Sequence, residues 1–389
     1  MNSLTTETGY VSLNKKGEQL CGDRVEIIQN NGQLTFVLAD GLGSGVKANI
    51  LSTLTSKIIA TMMAGGLALE DCVETIASTL PVCSERHIAY STFTIIQVDN
   101  NEKATIIQFD NPRTVFLRHG KNTTYPVIEK IIDSKKIYTS TILLQPGDIF
   151  VAMSDGAIYA GVGQSMNFGW QLPEIIDYLE LRYDPSLSAK MVATILAEEC
   201  DNLYGHEPGD DTTVGVVKIR KRQPVNLIIG PPKDPADLAQ MHELFLSKEG
   251  KRIVCGGTTS ELIAQRLGKT VRTELDYPDP TVPPIGHIPG VDLVTEGVLT
   301  ISRVLEYARA YDQGTDLSTP WANRRDGASL IAQMLFEDAT DIHFFVGTAI
   351  NPAHQNPDLP IHFAIKIGII KELAECLEKM GKSVQVSYF

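Results

Sequence analysis

Residues 38–46 read Leu-Ala-Asp-Gly-Leu-Gly-Ser-Gly-Val. An apolar run at 35–39 precedes Asp40, and a helical pattern of apolar residues begins at Val46. Three glycines at alternate positions leave the main chain of this turn accessible, so a metal ion or a phosphate could approach it closely. The turn lacks the spacing and the lysine of a nucleotide-binding phosphate loop. Alone, it is compatible with either a tight connection or a site.

Acidic residues also stand at other turns of the N-terminal half. Asp23 precedes a predicted hairpin, Asp155 follows the apolar run 149–153, and Asp210 and Asp211 precede a further strand. Hard divalent cations such as Mg2+ and Mn2+ take oxygen ligands, and carboxylates from separate strand ends can converge on a metal pair. Each Asp taken singly is equally compatible with an ordinary turn, because aspartate favours turns.

The order of these motifs decides between the two interpretations. They run Gly-Asp at 22–23, Asp-Gly-x-Gly-x-Gly at 40–45, Ser-Asp-Gly at 154–156 and Asp-Asp-x-Thr at 210–213. The series resembles the PPM-type metal-dependent serine/threonine phosphatases, and most of all their bacterial SpoIIE-like branch. The resemblance spans about residues 8–221 and implies an α-β-β-α sandwich.

The resemblance also implies two divalent metal ions, Mn2+ or Mg2+, held by a set of oxygen ligands: Asp23, Asp40, Gly41, Asp155, Asp210 and Asp211. Asp40 would bridge the metals, with the Gly41 carbonyl as a further ligand. Asp155 and Asp210 would bind the second metal, and Asp23 would bind directly or orient a water molecule. A strict match favours Asp210 over Asp211. The implied reaction is in-line attack of metal-activated water on phosphoserine or phosphothreonine, with Asp40, Asp155 and Asp210 as catalytic residues and no phosphoenzyme.

Two departures from the larger members of that family concern the substrate. Leu42 stands where they carry a histidine that assists the leaving group. No clear match exists for their phosphate-binding arginine, for which Arg24 is only a candidate. His87 is the nearest other acid-base candidate, although an exposed or capping histidine is the favoured interpretation.

Length, composition and charge restrict the class of protein. At 389 residues the chain exceeds the usual single domain, so two domains are expected. The formal charge of -13 argues against nucleic-acid binding. The sequence contains no apolar stretch of bilayer length and no signal-peptide pattern, so a cytoplasmic protein with no membrane partner is expected. The six cysteines lack metal-ligand spacing, which predicts reduced thiols.

Two helices are predicted after the glycine-rich turn, at about 46–63 and 69–80. Their apolar residues recur at helical spacing and are expected to pack on a sheet: Ile50, Leu54, Ile58, Val73, Ile76 and Leu80. Strands are predicted from 89 to 153, followed by two helices and a strand at 212–219. In the resembled branch the helix pair lies where regulatory switching occurs. A homodimer or switch surface would give the same pattern as plain packing, so both interpretations stay open.

A basic, proline-containing step at 221–224 ends the phosphatase-like region, which predicts domains at 1–221 and 222–389. Strands and helices then alternate, including a helix at 325–336, so an open α/β domain with a mostly parallel sheet is expected. No family is recognised in the sequence of this domain. Loops at 256–260 and 349–357 are candidate ligand sites, with a plain helix cap and a surface loop as the alternatives.

The sequence therefore predicts a bacterial-type signalling phosphatase with a C-terminal module that senses a small-molecule effector or recruits substrate. The resemblance implies a phosphoprotein substrate, such as an anti-sigma-factor antagonist. The competing hypothesis is a non-catalytic phosphatase-fold scaffold whose C-terminal domain binds a small anionic ligand.

Overall fold

The computed structural model describes residues 3–30, 32–79, 91–132, 135–273, 283–312, 320–321, 324–349 and 361–389. His87, and the candidate loop 349–357 beyond Ala349, lie outside these residues. The chain divides into two compact units, Met1–Lys221 and Arg222–Phe389.

The N-terminal unit is built from strands and helices that alternate in groups. Its described strands are β1 (Leu4–Leu13), β2 (Asp23–Asn30), β3 (Gln33–Asp40), β4 (Thr92–Asp99), β5 (Lys103–Phe109), β6 (Val115–Arg118), β7 (Lys121–Asn122), β8 (Ile128–Ile132), β9 (Lys135–Leu143), β10 (Ile149–Met153) and β11 (Thr212–Lys221). Its described helices are α1 (Gly45–Ala64), α2 (Leu69–Thr79), α3 (Asp155–Ile158), α4 (Leu172–Leu181) and α5 (Ala189–Leu203).

These strands form two antiparallel sheets, in the orders β2-β3-β4-β5-β9-β8 and β1-β11-β10-β6-β7. Alternate side chains of a strand serve different layers, because successive residues point to opposite faces. Phe36 belongs to the core between the sheets, whereas Val37 packs with α1 and α2. On the outer face of the second sheet, Val151 packs with α4 and α5. The layers are therefore helix, sheet, sheet and helix, as the resemblance implied.

The core between the two sheets is aromatic and tight. The rings of Phe116 and Phe150 stack with centroids 4.8 Å apart. At the centre of β11, a Cβ atom built on Gly215 would lie 2.3 Å from Cζ of Phe36 on the opposite sheet. The absence of a side chain at position 215 lets the phenylalanine ring occupy that space.

Helix α1 turns a different face to the sheet from the one predicted. Ile50 and Leu54 are 53% and 41% exposed, and only Ile58 among the predicted positions of this helix packs against the core. The buried face carries Ile59 and Met63 toward its C-terminal end, and its other members are small: Gly45, Ala48, Ser52, Thr55, Ser56 and Ala60. Small side chains let the helix backbone approach the sheet, so a Cβ on Gly41 would lie 2.1 Å from the Ala48 carbonyl oxygen. In α2, Val73 and Ile76 are buried as predicted.

The C-terminal unit alternates strands and helices. Its described strands are β12 (Pro224–Ile229), β13 (Lys251–Cys255), β14 (Arg272–Thr273), β15 (Gly286–His287), β16 (Leu293–Thr295), β17 (Asp341–Val346) and β18 (Ser383–Tyr388). Its described helices are α6 (Leu238–Ser247), α7 (Gly257–Leu267), α8 (Val298–Asp312), α9 (Gly327–Ala332) and α10 (Ile361–Lys379).

The sheet of this unit has the order β14-β15-β16-β13-β12-β17-β18. In this order, the five strands β16, β13, β12, β17 and β18 pair in parallel with one another, and β14 and β15 add an antiparallel edge. One face packs against α8, α9 and α10, and the other against α6 and α7. The single helix predicted at 325–336 is instead α9 followed by a π-helical segment, Gln333–Asp338.

Two further properties concern the whole described chain. Its five described cysteines, Cys21, Cys72, Cys200, Cys255 and Cys376, are free thiols. No helix among the described residues combines the length and the apolar character needed to cross a membrane.

Candidate metal centre

The β2–β3 hairpin places the first two aspartates side by side. Asp23 begins β2, Asp40 ends β3, and the two residues are direct partners in the antiparallel register. Directly opposed residues of such a pair project from the same face of the sheet. The hairpin therefore brings two carboxylates together at one strand end.

Asp155 reaches this place from the other sheet. It follows β10 and begins the short helix α3. The preceding Ser154 donates a 2.7 Å hydrogen bond from its hydroxyl to Asp23 Oδ2 and accepts one of 2.8 Å from the Thr213 amide. The end of β10, the start of β11 and the start of β2 are thus connected through one buried hydroxyl.

Asp210 and Asp211 precede β11 and differ in exposure. Asp211 is buried, and its Oδ1 accepts a 3.0 Å hydrogen bond from the Lys15 amide. The Asp210 side chain is 42% exposed, and its Oδ1 lies 3.4 Å from Lys15 Nζ. The Asp211 amide also donates to Asp210 Oδ1 at 3.0 Å. The adjacent carboxylates therefore face different surroundings, one enclosed and one open to solvent.

Glycines beside these aspartates are required by close contacts. A Cβ on Gly22 would lie 2.7 Å from Asp211 Oδ2, and one on Gly156 would lie 2.2 Å from the Asp211 carbonyl oxygen. Real Cβ atoms do not approach backbone atoms so closely. Glycine at 156 is thus a packing requirement of the cluster, whereas a Cβ at position 22 would force the Asp211 side chain to move.

Electrostatic interactions link all five carboxylates. Burial, followed by repulsion from Asp23, Asp155, Asp210 and Asp211, raises the pKa of Asp40 to about 9. Burial is also the main cause that raises the pKa of Asp23 to about 7, although the hydrogen bond from Ser154 opposes it. Carboxylates that repel one another in a buried place form a site that favours a cation.

The unsatisfied oxygens fit the implied metal ions. Asp23 Oδ1 and Asp211 Oδ2 are buried and have no hydrogen-bond partner. Within the described residues, no three His, Cys, Asp or Glu side chains converge closely enough to enclose a metal ion by themselves. Mg2+ is usually bound by one or two carboxylates and keeps several water molecules. An all-oxygen cluster of this kind therefore suits Mg2+ or Mn2+ with water and main-chain carbonyls completing the coordination.

Two residues near the cluster differ from expectation. Arg24 is exposed and follows Asp23 directly in β2, so its side chain leaves the opposite face of the strand. It is not placed to bind a group held at the aspartates. Lys15, which the sequence did not single out, contacts both Asp210 and Asp211. No local pattern indicates this, because the contacts span 195 and 196 residues.

Sequence comparison assigns the N-terminal unit to a family. Residues 30–220 match the family described as Stage II sporulation protein E (SpoIIE). Those residues belong to the SpoIIE family. The SpoIIE-family region contains four of the five clustered aspartates, and Asp23 lies just before it. The family match ends at residue 220, so it leaves the C-terminal unit unassigned.

Individual relatives of the SpoIIE-family region are distant. Stage II sporulation protein E of Bacillus subtilis is 24% identical over 229 residues, which cover 57% of this chain and 27% of that protein. The Priestia megaterium protein of that name is 22% identical, with 57% and 38% covered. Phosphoserine phosphatase RsbX of Bacillus subtilis is 24% identical over 181 residues, with 45% and 86% covered. The chain thus spans well under half of the two sporulation proteins.

Solved structures show similar coverage. The phosphatase domain of SpoIIE from Bacillus subtilis, in a crystal form without domain swapping, aligns with a TM-score of 0.44 and 21% identity over 58% of this chain and 96% of that domain. RsbX in complex with magnesium aligns with a TM-score of 0.41 and 21% identity, over 56% and 97%.

Proposed function

We propose that the protein is a metal-dependent protein serine/threonine phosphatase that hydrolyses a phosphoserine or phosphothreonine of a regulatory phosphoprotein. One observation carries this proposal: five aspartates from four chain segments form a cluster with two buried, unpartnered oxygens. The cluster lies in and next to the SpoIIE-family region. The name of the relative RsbX, a phosphoserine phosphatase, supports the substrate class.

In this proposal Asp40 would be shared by both metal ions, the Gly41 carbonyl would be a further ligand of one, and Asp155 and Asp210 would hold the other. Asp23 binds directly or orients a water molecule. Asp211 is an alternative to Asp210, since its buried Oδ2 lacks a partner. When bound, Mn2+ or Mg2+ supplies positive charge for the phosphoryl group and lowers the pKa of a water molecule so that it can attack near neutral pH.

The chain's own residues explain why the metal is needed. A phosphate monoester carries negative charge and is repelled by a cluster of carboxylates. The cluster therefore excludes phosphate until cations occupy it. Leu42 cannot donate a proton, so the side chain that follows the Asp40-Gly41 pair takes no part in protonating the leaving group. The residues then act mainly by positioning and by charge, which are the main contributions in phosphoryl transfer.

We assign a regulatory role to the C-terminal unit. Its parallel strands β13 and β16 end beside each other in glycine turns, where a Cβ on Gly297 would lie 3.5 Å from the Gly256 Cα. The carboxyl ends of parallel strands are the usual ligand-binding edge of such sheets. A small-molecule effector is the proposed ligand. Its binding would raise the unfolding temperature followed at Trp321 of the full-length protein.

The decisive experiment compares hydrolysis of para-nitrophenyl phosphate and of a phosphopeptide with Mn2+, with Mg2+ and with chelator. We expect metal-dependent turnover that falls at least about 100-fold in Asp40→Asn and in Asp155→Asn, because each removes a charged metal ligand. Asp184→Asn, on an exposed turn, is the matched control and should keep wild-type turnover.

A second measurement is needed because an enzyme held in an inactive state would bind metal but show no turnover. Calorimetry should detect Mn2+ binding to the wild type and weaker binding to Asp40→Asn. If millimolar Mn2+ does not bind and no turnover occurs, the phosphatase proposal is wrong and the scaffold hypothesis takes its place.

A further inference from the structure

The loop between β1 and β2, residues 14–22, brings a lysine to the carboxylate cluster. Its Lys15 lies two residues beyond the end of β1, next to the turn that precedes β11. The Lys15 amide donates to Asp211 Oδ1 at 3.0 Å, and Nζ lies 3.4 Å from Asp210 Oδ1. The main chain fixes the residue, while the side chain extends toward the more exposed carboxylate.

This loop is held at both sides of the cluster. The Lys16 amide donates to the Pro208 carbonyl at 2.8 Å, on the side of the Asp210 turn. Glu18 accepts a 3.2 Å hydrogen bond from the Ser44 hydroxyl, on the side of the glycine-rich turn. The position of the Lys15 main chain therefore does not depend on its ammonium group.

The Lys15 ammonium is available to a ligand. Its side chain is 36% exposed, and its distance to Asp210 is longer than the 2.7 Å between Lys16 and Glu207. A lysine ammonium has three donors, which can rotate to follow an anion. If Asp210 binds a metal ion, that ion competes for the same carboxylate and leaves the ammonium free to donate elsewhere.

We infer that Lys15 binds the phosphate group of the substrate, donating from Nζ to a non-bridging phosphate oxygen beside the Asp210 carboxylate. This inference rests on the proposed phosphatase function. It gives a cation to a site whose other described side chains are mainly carboxylates, and it fills the role for which Arg24 faces the wrong way. Lys15 is thereby a substrate-binding residue and not a metal ligand.

The test uses the full-length, Mn2+-loaded protein and two probes, inorganic phosphate and a phosphopeptide. Lys15→Gln should weaken phosphate binding in calorimetry about tenfold and raise KM for the phosphopeptide by a similar factor, because a charge-assisted hydrogen bond is lost. The value of kcat should change less. Lys15→Arg should restore both quantities to within about threefold, since it keeps a donor of the same charge.

Lys16→Gln is the matched control, because Lys16 is the next residue and pairs with Glu207 in the same way. It should leave phosphate binding, KM and kcat unchanged. Mn2+ affinity should be the same or higher in Lys15→Gln, because a competitor for Asp210 is removed.

Two results would overturn the inference while the phosphatase proposal stands. One is wild-type phosphate affinity and KM in Lys15→Gln. The other is a loss of Mn2+ affinity in that variant, which would mean that Lys15 positions Asp210. A wild-type protein with neither Mn2+ binding nor turnover would instead refute both proposals.

Discussion

Two places in the chain, one in each unit, bury aspartates in opposite ways, although Glu296 of the C-terminal unit also keeps one buried oxygen without a partner. In the C-terminal unit, Asp326 is buried but satisfied: its Oδ1 accepts from the Ser329 amide at 2.9 Å, and its Oδ2 accepts from the Ser329 hydroxyl at 2.7 Å. In the N-terminal unit, Asp23 and Asp211 each keep a buried oxygen without a partner. A satisfied buried carboxylate supports a helix, whereas an unsatisfied cluster costs stability and so indicates a site.

Each unit can be followed separately by fluorescence. The chain has two tryptophans, and Trp170 lies in the N-terminal unit and Trp321 in the C-terminal unit, both buried. Full-length proteins carrying Trp321→Phe or Trp170→Phe therefore report the unfolding of one unit at a time.

The largest effect is expected from Gly41→Ala. Its Cβ would lie 2.1 Å from the Ala48 carbonyl oxygen, a backbone atom that cannot rotate away. We expect a loss of about 3 kcal/mol in the free energy of unfolding of the N-terminal unit, seen as a lower urea midpoint at Trp170.

Gly368→Ala in α10 is the control, since a Cβ there meets no atom within 4 Å. It should leave Trp170 unfolding unchanged and stabilise the C-terminal unit by up to about 1 kcal/mol. Equal midpoints for wild type and Gly41→Ala would contradict the close packing of α1 on the glycine-rich turn.

The second prediction is that replacing a buried aspartate changes the free energy of unfolding in opposite directions in the two units. In chelator near neutral pH, Asp40→Asn should stabilise the N-terminal unit by about 2 kcal/mol, because the wild-type carboxyl must take up a proton on folding and asparagine need not. Asp326→Ala should destabilise the C-terminal unit by about 1 kcal/mol, because α9 loses its N-cap. Denaturant midpoints at the two tryptophans measure both. If Asp40→Asn destabilised the N-terminal unit in chelator, the two buried aspartates would not differ in their effect on stability, and this prediction would be wrong.

The third prediction is a pH dependence of opposite slope in the two units, at most about 1.4 kcal/mol per pH unit for each group. Burial raises the pKa values of Asp23 and Asp40 from 3.8 to about 7 and about 9, so the folded metal-free unit binds protons more tightly than the unfolded chain. Its stability should fall as pH rises from about 4 to about 9. Added Mn2+ should therefore stabilise it most at high pH.

In the C-terminal unit, burial lowers the pKa of His343 to about 4 from 6.5. The neutral ring lies 2.9 Å from the Ser387 hydroxyl and stacks on Phe345. Stability from this group is present above pH 6.5 and is lost as pH falls toward 4, with a shallower slope because the ring is partly exposed. Melting curves at each tryptophan test both slopes, and His343→Gln should flatten the second. If stability changed with pH in the same direction in both units, the expected opposite slopes would be wrong.

The residues that could be predicted from the sequence are those that belong to short local motifs. The four acidic motifs pointed to the aspartates that the structure gathers, and in three of them a Cβ on the adjacent glycine, Gly22, Gly41 or Gly156, would lie within 3 Å of another atom. Their role as metal ligands stays a prediction. Lys15 could not be found in this way, since its contacts with the cluster join distant parts of the chain.

The prediction of which face of α1 is buried was wrong for a physical reason. Apolar periodicity assigned Ile50 and Leu54 to the sheet, but they are exposed. A helix that must lie close to a glycine turn buries its small residues instead, whatever their polarity. Strand β8 gives no alternating pattern in the sequence, because four of its five residues are exposed.

The contact of Gly215 with Phe36 has an evolutionary consequence. One residue belongs to each sheet, so the spacing between the sheets is set by the two positions jointly. Alanine at 215 would be tolerated only after position 36 had become smaller, and a smaller residue at 36 alone would leave a void. Positions 36 and 215 are therefore expected to change together during evolution, with a smaller residue at 36 appearing before a larger one at 215.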